Sequence, residues 1–155
     1  MSVRGKNAES VLYTVMFTPE RLTGTATTTY YNGYSPTTGA VMIDTADFDN
    51  LDVLVSFGTV LGEACTVTNA VYVSYTNNPM QAAAVTGASF TNINTDNDEQ
   101  TMIGAIVCKD QPRYACLVTQ VQTTSSIPYT VDFSAASIRG KPVSQATSNV
   151  LTFDV

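Results

Sequence analysis

Apolar and polar residues alternate one for one in several short runs of this chain, the spacing of strands that bury one face and wet the other. The clearest run is Tyr129 to Ala135, where every odd position is apolar and every even one polar. Leu51 to Phe57 repeats the pattern, with Leu51, Val53, Val55 and Phe57 pointing inward, and so does Val71 to Tyr75. Thr101 to Val107 and Tyr114 to Val121 are apolar on both faces, which predicts central strands whose outer sides are covered by loops or a partner. Further strands are expected at Thr25 to Tyr31, Ala40 to Ile43 and Asn149 to Phe153. Turn signals separate these runs, among them Asn32-Gly33, Asn77-Asn78-Pro79, the polar stretch Asn92 to Asp98, and Arg139-Gly140-Lys141-Pro142. Helical periodicity is hard to find. The expected fold is all-β: an antiparallel β-sandwich, jelly-roll-like, of about eight strands.

The first 24 residues fit this scheme less well. Val11 to Phe17 alternates like a strand, but a charged tip precedes it and Thr18-Pro19 follows. Met1 to Gly24 is therefore read as an N-terminal arm that pairs outside its own domain, 25–143 as the sandwich, and Ser144 to Val155 as a C-terminal strand or arm. No internal period of solenoid length and no apolar stretch of membrane-spanning length occurs, so neither a repeat fold nor a membrane partner is expected.

Composition sharpens the picture in one respect. Charged residues make up 13% of the chain, roughly half the usual share, while 44% is hydrophobic. The surface must then be polar but largely uncharged, which suits a protein packed against neighbours, because hydroxyls and amides are cheaper to desolvate than Lys or Glu. With 7 basic against 13 acidic residues the formal charge is −6, and the basic residues are scattered, so nucleic acid is not expected as a partner. Cys65, Cys108 and Cys116 are odd in number and read as reduced core thiols. The opening MSVRGKNAES lacks an apolar signal core, which predicts synthesis in a cytosol.

Candidate chemistry is thin. Without histidine the chain lacks the usual general base and every Ser-His or Cys-His pair. Carboxylates gather as Asp44, Asp47, Asp49 and Asp52, and as Asp96, Asp98 and Glu99; a glycosidase pair needs a sugar-sized cleft, commonly lined by aromatic platforms, and there is no tryptophan. Turn capping explains these acids more simply. The loops from Asp47 and from Asn92 resemble the opening of calcium loops but place Asp52 and Asn97 where an EF-hand needs glycine, and Gly58 and Ile103 where it needs glutamate. The cysteines have neither zinc spacing nor a histidine to complete a shell. No cofactor, no metal and no enzymatic activity are expected.

One pattern goes further. AVMIDTADFDNLDVLVSFGTV, then AVYVSYTNNP, TGASFTNI, TMIGAIVCKDQPRYACLVTQVQ and PYTVDFSAASIRGKP together resemble the small jelly-roll-type decoration, or cement, proteins of tailed bacteriophages. Ile43, Asp44 and Thr45 match that family's apolar-Asp-Thr turn, Phe48 its loop aromatic, Leu51 to Phe57 the strand that follows, Arg113 with Tyr114 its Arg-Tyr pair, and Arg139 to Pro142 its basic end. The match runs from Ala40 to Pro142, and a C-terminal strand continues past the basic end, where it could reach a neighbour.

The resemblance implies a structural virion protein: a homotrimer seated on the capsid exterior, contacting the major capsid protein where subunits meet, resisting the pressure of packaged DNA, and made in the host cytoplasm. Candidate interface residues are Tyr30, Tyr31 and Tyr34 as an aromatic patch, with packing under a loop as their plainer alternative, Arg113 with Tyr114, and Arg139 with Lys141. Arg113 has a plainer alternative, holding a strand end through a carboxylate such as Asp110 or Asp98. Two rival readings stay open: a receptor- or carbohydrate-binding sandwich of a virion spike or fibre, and a carboxylate-dependent glycosidase.

Overall fold

The computed structural model describes residues 12–26, 28–32, 34–35, 39–40, 42–46, 48–124, 128–140 and 151–152. Among them the chain forms β1 (Leu12–Gly24), β2 (Thr28–Asn32), β3 (Tyr34–Ser35), β4 (Gly39–Ala40), β5 (Ile43–Asp44), β6 (Asn50–Leu61) and β7 (Thr66–Ser74). A single 3₁₀ turn, Pro79–Gln81, precedes β8 (Ala83–Ser89), β9 (Ile93–Asn94), β10 (Thr101–Val107), β11 (Tyr114–Gln122), β12 (Tyr129–Gly140) and β13 (Leu151–Thr152).

Two sheets carry almost all of this. One has the order β1-β12-β6-β10-β13; the other has the order β2-β11-β7-β8, with β5 beside β11 and β9 beside β7. Taken in chain order, the eight long strands pair first with last (β1 and β12), second with seventh (β2 and β11), third with sixth (β6 and β10) and fourth with fifth (β7 and β8). That is one long antiparallel hairpin wound across two sheets, the topology of a jelly roll. The expected fold class is what the structure shows.

Alternation decides which way each strand faces. In β6, Leu51, Val53, Val55 and Phe57 are buried while their neighbours are partly open, and β12 does the same with Tyr129, Val131, Phe133 and Ala135. Facing them, β7 contributes Val67, Val71 and Val73, and β11 contributes Ala115, Leu117 and Val121. The two layers close on an apolar core whose aromatic part is a short stack: Phe17 meets Phe133 edge-on at 4.9 Å, and Phe133 meets Phe57 at 5.0 Å.

One expectation needs correcting here. Leu12–Gly24, read from sequence as part of an arm reaching outside the domain, is an integral strand paired antiparallel with β12 from Leu12↔Arg139 to Gly24↔Tyr129. The physical reason is the pair of register shifts between Val15 and Phe17 and between Phe17 and Glu20, which place Met16 and Phe17 consecutively in the core. Residues 1–11 lie outside the described residues. The C-terminal strand also stays at home where it is described, since Leu151 and Thr152 pair in parallel with Gly104 and Ala105 of β10.

The expected strand boundaries shift in the same way. Thr25 to Tyr31 becomes Thr28–Asn32, and Ala40 to Ile43 splits into the short β4 and β5. Val71 to Tyr75 lies within the longer β7 except for Tyr75, which lies beyond it, and β8 was not anticipated at all.

Candidate interaction surfaces

At one end of the sandwich the turn Asp44-Thr45 meets the start of β11 and the end of β12. Asp44 accepts two hydrogen bonds from Arg113, Nε at 2.9 Å and Nη2 at 2.6 Å, a fork-to-fork pair that fixes both side chains. Its Oδ1 also accepts from the amide of Ala46 at 3.0 Å, closing the turn. Together these hold its carboxyl at about 2, below the usual 3.8, with the Arg113 bond the main cause. Thr45 donates its amide and its hydroxyl to the Arg113 carbonyl, at 2.8 and 2.6 Å.

Arg139 arrives from the other sheet. It donates Nη1 to the Asp44 carbonyl and Nη2 to Thr14 Oγ1 at 3.1 Å, and its guanidinium lies 5.1 Å from the centre of the Phe48 ring. Arg113 in turn lies over Tyr114, 5.3 Å from its ring centre. Residues spread from Ile43 to Arg139 are thus tied into one knot joining the two layers. Arg113 holds a strand end, as its plainer alternative supposed, but through Asp44 rather than Asp110 or Asp98.

The second surface is the outer face of the five-stranded sheet. Residues directly opposite one another across a sheet share a face, so the register writes this face out in rows. Val15, Ala136, Leu54 and Ile103 form one apolar row across four strands. Beside it runs Tyr13, Ile138, Asp52 and Ala105, and on the other side Ser134, Ser56 and Thr101, where Ser56 and Thr101 share a hydrogen bond of 2.9 Å. Val107 closes the far corner opposite Asn50. Tyr13 is 61% exposed, Val15 and Val107 are each 43% exposed, and Ile103 and Ile138 are also open to solvent. A shallow depression of about 140 Å³ sits among Tyr13, Val15, Leu54 and Ala136. The expectation that the outer sides of β10 and β11 are covered holds for β11, where Cys116 and Val118 are buried, but not for β10 among the described residues, since Ile103 and Val107 turn to solvent.

The remaining candidates disperse. Tyr30 stands 59% exposed on β2, at the edge of the second sheet. Tyr31 and Tyr34 have described backbone in β2 and β3, while their side chains, like the whole of Lys141, lie outside the described residues. The Asn92 to Asp98 loop satisfies itself: Asn94 Oδ1 accepts from the amides of Asp96 and Asn97, and Asp98 accepts from the Val60 amide at 2.9 Å. Among the described residues no three His, Cys, Asp or Glu side chains gather so as to hold a metal. Arg21 and Asp132 pair at 2.7 Å beside an open hollow of about 440 Å³, and Arg21 lowers the Asp132 pKa.

No protein-family model matches the chain, and no curated protein matches it. Among solved structures it is similar to one described as "Crystal structure of infectious bursal disease virus VP2 subviral particle", at 10% identity and a TM-score of 0.27. That alignment takes in 86% of this chain and 41% of the other, so this chain spans less than half of its length.

Charged side chains of these surfaces are engaged with one another, Arg113 with Asp44 and Arg21 with Asp132. Asp44 and Asp132 have their pKa values lowered by arginines, the wrong direction for a general acid. Burial pushes the thiols of Cys108 and Cys116 up to about 11 and about 12, so both stay protonated and poorly nucleophilic. The surface missed in the sequence is the Tyr13 and Val15 part of the sheet face. Its signal, the alternation from Val11 to Phe17, was present but assigned to an arm.

Proposed function

We propose that this chain is a structural virion protein, a capsid decoration or cement protein that binds the outside of the shell between capsomers, against the major capsid protein, and performs no catalysis. In this reading it is made in the host cytoplasm, assembles as a homotrimer and helps the shell resist the pressure of its packaged DNA. The observation that carries the reading is the knot at Asp44. Ile43, Asp44, Thr45, Phe48, Arg113, Tyr114 and Arg139, the residues that carry the resemblance to phage cement proteins, stand together at one end of a jelly roll. The resembling pattern is then one physical device, a clamp between the sheets, rather than scattered strand chemistry.

A sandwich whose surface is polar and sparsely charged suits this work. Each contact to the shell can be weak, because a trimer engages several subunits at once and the second and third contacts form at high effective concentration. The test is sedimentation of empty shells of its own virus, prepared without the protein, after mixing with the purified chain. Saturable co-sedimentation, with shells that then withstand heating better, is expected. Shells that sediment bare, together with binding of the chain to a glycan array, would replace this reading with the receptor-binding one.

A further inference from the structure

The outer face of the five-stranded sheet holds an unexplained carboxylate. Asp52 lies in the row Tyr13, Ile138, Asp52, Ala105, next to the apolar row Val15, Ala136, Leu54, Ile103. Among the described residues two salt bridges form, Arg21 with Asp132 and Arg113 with Asp44, and Asp52 belongs to neither. Burial by its neighbours raises its pKa, and among the described residues no cation pairs with it. A charge half-withdrawn from water costs stability unless something pairs with it.

We propose that this face is a docking surface and that its occupant is an apolar protein surface carrying one Lys or Arg set against Asp52. Charge complementarity chooses the occupant. A second copy seated face to face about a two-fold axis through this row would bring Asp52 against its own twin, two carboxylates in a closing apolar contact. A foreign surface with one cation completes the pair and buries the apolar rows together. Exposed apolar side chains from three strands, Tyr13 and Val15 of β1, Ile138 of β12, and Ile103 and Val107 of β10, lie on this one face, and apolar side chains gathered on one face favour burial against a partner. The central ion pair would fix register, and the flanking rows would exclude water from it. This rests on the shell-binding reading above and deepens it: the occupant is the capsid shell, and this is the face turned toward it.

The test uses the full chain and empty shells of its own virus, with bound protein measured across a titration. Asp52→Asn should weaken binding roughly tenfold or more, and Asp52→Lys and Ile103→Lys should abolish it, with unfolding midpoints near wild type. If Ile103→Lys unfolds the chain, Val107→Lys at the rim of the face replaces it. Wild-type binding with all folded face variants binding equally well overturns the docking face while leaving the shell-binding reading intact. Asp52→Asn binding as well as wild type while Ile103→Lys fails overturns the charge pairing, and marks Asp52 as a guard against unwanted association. A wild-type oligomer that dissociates on Ile103→Lys in sedimentation velocity assigns the face to a second copy and overturns the proposal. Failure of the wild type itself to bind overturns both readings.

Discussion

Replacing Phe17 with alanine tests whether the segment before Gly24 is a strand of the sandwich or an appendage to it. Phe17 is 1% exposed and stands edge-on to Phe133, with ring centres 4.9 Å apart. Removing a well-packed phenylalanine costs about 3–5 kcal/mol, from lost transfer energy and the cavity left behind. The edge-to-face pair supplies ~0.5–1.5 kcal/mol of that. With a urea slope near 2 kcal/mol per molar, the unfolding midpoint should fall by about 2 M at unchanged slope. A double-mutant cycle with Phe133→Ala should return a coupling above ~0.5 kcal/mol, because the rings touch. An arm lying against the surface would lose less than about 1 kcal/mol and show no coupling. That result would refute the placement of β1 and the layout of the five-stranded sheet with it.

Acid should loosen the knot at Asp44. Its folded pKa, about 2, lies below the ordinary 3.8, so its stabilisation is full above 3.8 and is lost as pH falls toward 2. Asp44→Asn should lose up to about 1 kcal/mol at neutral pH, the range for an exposed pair, and should show a flatter stability profile between pH 4 and 2, read by urea unfolding at each pH. The three buried free thiols should resist alkylation of the native protein at pH 8 and react on unfolding; rapid native labelling of Cys116, followed by mass spectrometry, would contradict its burial. Gly62→Ala should lower the melting temperature by several degrees, since Gly62 holds a φ of 134° and an added Cβ would come within 3.0 Å of Tyr129 Cβ.

How far the sequence reveals this fold depends on how regular each strand is. β6 and β12 are legible because alternation runs through them with Leu51, Val53, Val55 and Phe57, and with Tyr129, Val131, Phe133 and Ala135, all inward. β1 is obscured by its two register shifts, which break the period of two at Met16 and Phe17. β8 is hidden for another reason: Ala83–Ser89 is built of small residues and buries only Val85 and Ala88, three positions apart.

The site divides along the same line. Asp44, Arg113 and Arg139 could each be singled out as chemical residues, but their meeting depends on contacts 69 and 95 residues apart, which spacing along the chain does not encode. Asp52 was noted as one acid in a cluster. Only the register across three strands shows that its neighbours on the sheet are apolar.

The central claim is tested most directly by electron cryomicroscopy of shells mixed with the full-length chain, averaged with the symmetry of the lattice. The account predicts density on the outer surface, repeated at equivalent positions between capsomers, into which the jelly roll fits. Bare shells, or density confined to tails or fibres, would contradict it.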